Sequence, residues 1–160
     1  MKTLFVLLIA LGTLTAVQAQ KIAASKVPAA AKDAFKKQYP DVKSVTWELE
    51  NGNYEANWKK NGTGMSAIYD KSGNMQESEV DIKVSELPSG VATYVKSHYK
   101  GAPIKEASKI TKTNGEVNYE AMVNRTDVIF DANGNYLKEM KEGGEAKEGK
   151  GAKEKKGKKY

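Results

Sequence analysis

The chain contains no cysteine and only one histidine, His98. Without a thiol it can form no disulfide and carry no lipid on an N-terminal cysteine. The same absence excludes a Cys–His dyad and a zinc site built from cysteine and histidine. His98 has no Gly-x-Ser-x-Gly turn with which to form a triad. It is read as a part-exposed residue beside Tyr99, and no catalytic residue is assigned. Beyond the first nineteen residues no run is long and apolar enough to cross a bilayer. A basic body is missing too. The net charge is +6, but residues 141–160 hold eight Lys and four Glu, while residues 20–140 hold 17 basic and 16 acidic residues. A near-neutral body lacks the basic stripe of a nucleic-acid binder. A cysteine-free exported domain must rely on its core, which suits a bacterial envelope.

The N-terminus is what gives the export reading. Lys2 precedes the apolar run Leu4 to Leu11, and Val17-Gln18-Ala19 places small or permissive residues before a cut. Residues 1–19 are therefore read as a signal peptide removed after Ala19, leaving a periplasmic or secreted chain that begins at Gln20.

The body repeats itself. Ile68-Tyr69-Asp70-Lys71-Ser72-Gly73-Asn74 returns as Ile129-Phe130-Asp131-Ala132-Asn133-Gly134-Asn135. Apolar residues run into Asp, two turn formers and Gly-Asn, which is a strand entering a tight hairpin. Val27-Pro28 returns as Leu87-Pro88, and each pair opens an amphipathic helix. The apolar faces are Val27, Ala31, Ala34, Phe35 and Tyr39 in one, and Leu87, Val91, Tyr94, Val95 and Tyr99 in the other. Pro40 stops the first helix; Gly101 and Pro103 stop the second. Alternating stretches then follow in both halves, joined by turns such as Asn51-Gly52 and Asn114-Gly115. Tyr54-Glu55-Ala56 recurs as Tyr119-Glu120-Ala121.

These patterns predict an α+β fold: a tandem repeat of a helix plus a four-stranded antiparallel meander, with the helices packed on one face of the sheet. The expected boundaries are a signal peptide at 1–19 and one domain at 20–140. Its repeats span about 27–84 and 85–140. A half of this size buries too little surface to be comfortably stable alone, so the halves should share a sheet or core. Residues 141–160 are rich in Lys, Glu and Gly with almost no apolar residues, and read as a disordered tail.

Val27-Pro28, Tyr39-Pro40, Tyr54-Glu55-Ala56, the Asp70–Asn74 hairpin and their second-half partners resemble the PepSY-like family of secreted Bacteroidetes proteins, similar in fold to the beta-lactamase inhibitor protein. The resemblance covers about residues 27–140. It implies a non-enzymatic binding module, an inhibitor or regulator of an envelope enzyme, and it brings no catalytic residues or cofactors.

Asp131-x-Asn133-x-Asn135 with Glu142 has the look of a calcium loop, but Tyr136 stands where such a loop needs glycine. No metal site is assigned. The candidate partner-binding residues are Trp58, Trp47, Tyr54 and Tyr69. These aromatics either form core beneath a helix or lie on the bare sheet face as anchors for a protein or peptide of the envelope. Trp58, beside Lys59 and Lys60, is the leading one. A second hypothesis from another class is a structural, surface-associating protein. Its tail, through Lys153, Lys155, Lys156, Lys158 and Lys159, would hold it to anionic envelope surfaces.

Overall fold

The structure, a computed structural model, describes residues 20–141 and 146–148. The expected signal peptide and most of the expected tail lie outside the described residues. A short strand, β1 (Gln20–Ile22), leads through a 3-10 turn into helix α1 (Ala29–Gln38). Four strands follow: β2 (Thr46–Glu50), β3 (Asn53–Lys60), β4 (Thr63–Tyr69) and β5 (Met75–Asp81). A second 3-10 turn opens helix α2 (Ser89–His98). Then come β6 (Glu106–Lys112), β7 (Val117–Val123), β8 (Thr126–Asp131) and β9 (Tyr136–Lys141), with a short β10 (Ala146–Glu148) last. The ten strands form one sheet in sequence order.

The helices form where Pro28 and Pro88 fix the backbone ahead of an apolar stripe of period 3.6. In α1 that stripe buries Ala31 and Phe35, and in α2 Val91 and Val95. Register decides the other side of the contact. Trp47 stands opposite Ala56, and Ala56 opposite Ala67; Ala107 stands opposite Ala121, and Ala121 opposite Val128. The alanines among them, Ala56 and Ala67 under α1 and Ala121 under α2, let the helices approach. Larger ones frame them: Trp47, Trp58 and Tyr69 around α1, Val123 and Phe130 around α2.

The apolar residues form two clusters, one under each helix, rather than a single core. What joins the halves is the sheet. β5 pairs β6 over five residues, from Glu77 opposite Lys112 to Asp81 opposite Ser108.

The repeated hairpins explain how each helix is held. Asp70 Oδ1 accepts hydrogen bonds from the backbone N–H groups of Ser72 (2.8 Å) and Asn74 (3.0 Å), and Oδ2 accepts from Asn74 Nδ2 (2.8 Å). Asp131 does the same with Asn133 (2.8 Å) and with the backbone and side chain of Asn135 (2.9 and 2.8 Å). Gly73 and Gly134 sit at φ +84° and +82°, the left-handed region glycine enters freely. Both tips press on a helix start. A Cβ on Gly73 would meet the Ala30 carbonyl oxygen at 2.5 Å, and one on Gly134 would meet Pro88 Cβ at 3.0 Å.

Two expectations change. Gln20–Ile22, ahead of the expected first repeat, is a strand paired with β2, and Ala146–Glu148, inside the expected tail, is a strand paired with β9. Both extend an edge of the sheet, where unpaired backbone groups recruit a neighbour with little regard to side-chain composition.

Candidate binding face

The helices cover one face of the sheet. The expected aromatic anchors belong to that covered face. Trp47, Trp58 and Tyr69 are buried against α1, and Tyr54 is half-buried beside them. The Phe35 ring lies between the tryptophans, with centroids 5.6 Å from Trp47 and 5.2 Å from Trp58, and the tilted Tyr39 ring lies 4.5 Å from Trp58. The placement of these four residues on a bare sheet face is therefore corrected. Strand parity puts Tyr54, Ala56 and Trp58 on the same side as Trp47, and Trp47, Trp58 and Tyr69 wall the Phe35 ring. Trp58 is 5 % exposed, and its indole N–H has no partner. It edges a hollow beneath Pro40 to Ser44.

The opposite face carries a pattern of its own, acidic rather than aromatic. Three rows cross the strands. Glu55 on β3 faces Ile68 on β4, which faces Glu77 on β5. Glu79 on β5 faces Ile110 on β6, which faces Asn118 on β7. Glu120 on β7 faces Ile129 on β8, which faces Lys138 on β9. Each row sets an isoleucine between an acidic residue and another polar one. Glu48 and Glu50 on β2 add to the acidic side, and Glu48 stands directly opposite Glu55, a pairing that costs stability.

The sheet curls around this face. One cavity of about 690 Å³ is lined by residues from β2 through β9, and Glu50 on β2 lies close enough to Lys138 on β9 to be influenced by its charge. Curling withdraws the carboxylates from water while gathering like charges, and both effects favour the protonated acid. Burial, with Glu55, Glu77 and Glu50 nearby, raises Glu79 to about 8 against a weaker opposing hydrogen bond from Ser108. Burial, with Glu79, Asp127 and Glu55 nearby, raises Glu120 to about 9. Glu50 and Glu55 move upward for the same reasons, burial first.

The cleft floor is rich in acceptors. Asn118 is 4 % exposed; its Nδ2 donates to Glu116 Oε1 at 3.0 Å, but its Oδ1 accepts from nothing. Lys112 and Lys138 stand at the margin, and Lys112 is engaged with Glu116 at 2.7 Å. Other lysines sit elsewhere: Lys36, Lys37 and Lys96 are exposed on the helices. The near-neutral body is thus acidic on one face.

The remaining motifs are structural. Both oxygens of Asp70 and Asp131 are committed to their own hairpins. Among the described residues no group of three acidic, histidine or cysteine side chains is placed to hold a metal ion. His98 is exposed and stacks on Tyr94, centroids 3.9 Å apart, with Nδ1 3.0 Å from the Tyr94 carbonyl oxygen. The tail lysines, Lys153 to Lys159, lie outside the described residues.

One curled antiparallel sheet with two helices on a single face defines an α+β protein whose other face no helix covers. The family described as "Putative beta-lactamase-inhibitor-like, PepSY-like" matches over residues 13–77 and again over 60–138. The chain belongs to this PepSY-like family. No curated protein matches it. Among solved structures it is similar to a "putative periplasmic" protein of Bacteroides eggerthii, with 16% identity over 71% of this chain and 88% of that one and a TM-score of 0.61. It is also similar to a DUF2874 family protein of Bacteroides uniformis, at 20% identity over 71% and 88% with a TM-score of 0.56. A BLIP-like protein of Bacteroides fragilis matches at 24% identity over 71% and 85% with a TM-score of 0.51. These likenesses establish the shared fold. No helix among the described residues is long and apolar enough to cross a membrane.

Proposed function

We propose that this protein is a non-enzymatic binding module of the bacterial envelope that holds a lysine- or arginine-bearing protein or peptide segment in its acidic cleft. The observation that supports it most is the alternation of acidic residues and isoleucines across β3 to β9. An isoleucine can receive the methylene stem of a lysine while the neighbouring carboxylates receive its ammonium. Carboxylates and the free Asn118 Oδ1 both call for N–H donors. The family description, beta-lactamase-inhibitor-like, favours a binding rather than a catalytic role.

The family description and the BLIP-like neighbour favour an inhibitor or regulator of an envelope enzyme as the finer reading. The two family matches also favour one helix-and-meander unit made twice. A periplasmic location draws on the expected signal peptide and on the neighbour from Bacteroides eggerthii.

The test is calorimetric titration of the full chain, at about pH 9 where the raised carboxyls of Glu79 and Glu120 are ionising, with a lysine-rich peptide and with its glutamate counterpart. Binding of the first alone, weakened at least about tenfold in Glu79→Gln/Glu120→Gln, is expected, since charge-assisted hydrogen bonds contribute about 1.5–3 kcal/mol each. Equal binding of both peptides would refute the cleft as the site. A surface-anchoring role through Lys153 to Lys159 is the second reading, and the lysine content of the tail favours it. It requires retention on anionic vesicles that disappears when those lysines become glutamine.

A further inference from the structure

The proposed cleft has a candidate occupant in the same chain. Residues 149–160 hold six lysines, Lys150, Lys153, Lys155, Lys156, Lys158 and Lys159, against Glu154 alone, a net +5. They follow β10, whose last residue, Glu148, stands opposite Lys138. Lys138 itself lines the cleft, so this segment starts at the cleft's edge. We propose that residues 149–160 lie across the acidic face of their own chain and compete there with its partner. This inference rests on the cleft being a binding site for cationic segments.

Reach permits it. Twelve extended residues span about 40 Å. Seven strand spacings of roughly 4.8 Å, from β10 to β3, come to roughly 34 Å along the sheet, and the curl shortens the path. The row on β7 to β9, the row on β5 to β7 and the row on β3 to β5 therefore all lie within range. Chemistry matches as well. The cleft floor offers Glu120, Glu79 and Glu55 beside isoleucines, with Asn118 Oδ1 buried and unpartnered between them. The segment supplies N–H donors on aliphatic stems, with Gly149, Gly151 and Gly157 to lower the steric demands of its backbone. Tethering sets an effective concentration in the millimolar range, so even weak contacts would be largely closed and an incoming partner would have to displace them.

The test compares the full chain with a full-length variant in which the six lysines are glutamine. Methyl NMR should show different signals for Ile68, Ile110 and Ile129 in the two proteins, with Ile22 and Ile104 on the helix side unchanged. The difference should be independent of protein concentration and vanish near 1 M salt, where the Debye length is about 3 Å. A synthetic peptide of residues 149–160 should bind the glutamine variant at least about tenfold more tightly than the native chain. Equal peptide affinity for both, with identical methyl signals, would overturn self-occupancy and leave the cleft reading standing. Differences that grow with concentration would assign the segment to a second copy and overturn self-occupancy too. Failure of the peptide to bind the glutamine variant would overturn the cleft reading, and this inference with it.

Discussion

Gly73 and Gly134 show how much one position can carry. Each combines a positive φ with a close approach to a helix start, which leaves no room for a methyl group at Gly73 and little at Gly134. Gly52 and Gly115 share the positive φ but have open space where a Cβ would stand. Gly73→Ala should therefore cost clearly more stability than Gly52→Ala, whose penalty is the left-handed conformation alone, about 1–2 kcal/mol. Urea denaturation of the two variants checks this, and equal losses would show that the hairpin tip does not bear on α1. Trp58→Ala should cost roughly 3–5 kcal/mol of stability, because it empties the wall against Phe35 and Tyr39. Peptide binding at the far face should persist wherever the variant remains folded. The hairpin residues were legible in the sequence because turn chemistry is local. The side on which Trp58 lies was left open, because it depends on which face the helix chooses.

At the scale of strands and helices, the apolar stripes of α1 and α2 were legible, since burial imposes a period of 3.6 and both faces match. The acidic face was not. Its signal is present, in Glu48 and Glu50 on β2 and Glu77 and Glu79 on β5, each pair two residues apart. Yet alternating glutamates read as an ordinary solvated face until curvature removes the solvent. That curvature arises from strand twist accumulated over ten strands, beyond what any single stretch records. It has a pH consequence. Glu79 and Glu120 face Glu50 on β2, Glu55 on β3, Glu77 on β5, Lys112 on β6, Asp127 on β8 and Lys138 on β9. Their folded values, about 8 and about 9, lie above the ordinary 4.5. Between those limits the folded chain holds protons that the unfolded chain has released, so stability falls as pH rises from about 4.5 to about 9 and levels off above. Denaturation at pH 5, 7 and 9 should show this decline, and Glu79→Gln/Glu120→Gln should flatten it. Affinity for a cationic peptide should move oppositely, rising with pH as the carboxylates ionise. A decline that survives the double substitution would place its source elsewhere.

Across the whole molecule, two apolar clusters share one sheet. The sequence suggested that the halves depend on each other, and the β5–β6 ladder is the link between them. Both tryptophans, Trp47 and Trp58, belong to the first cluster. Tryptophan fluorescence thus reports on one half, and far-ultraviolet circular dichroism on both. The two unfolding curves should coincide, because separating the halves would bare two long strand edges and the buried side chains between them. A fluorescence transition distinct from the dichroism transition would show that the halves unfold independently. The same sheet gathers carboxylates from both halves, so the cleft exists only in the joined molecule. The most direct measurement of that cleft is the carboxyl carbon chemical shift of Glu79 and Glu120, followed by NMR across the pH range with and without a lysine-rich peptide. Midpoints near 8 and 9 that fall when the peptide is added are the predicted result. Midpoints near the ordinary 4.5, unmoved by the peptide, would contradict an acidic cleft that holds a cationic partner.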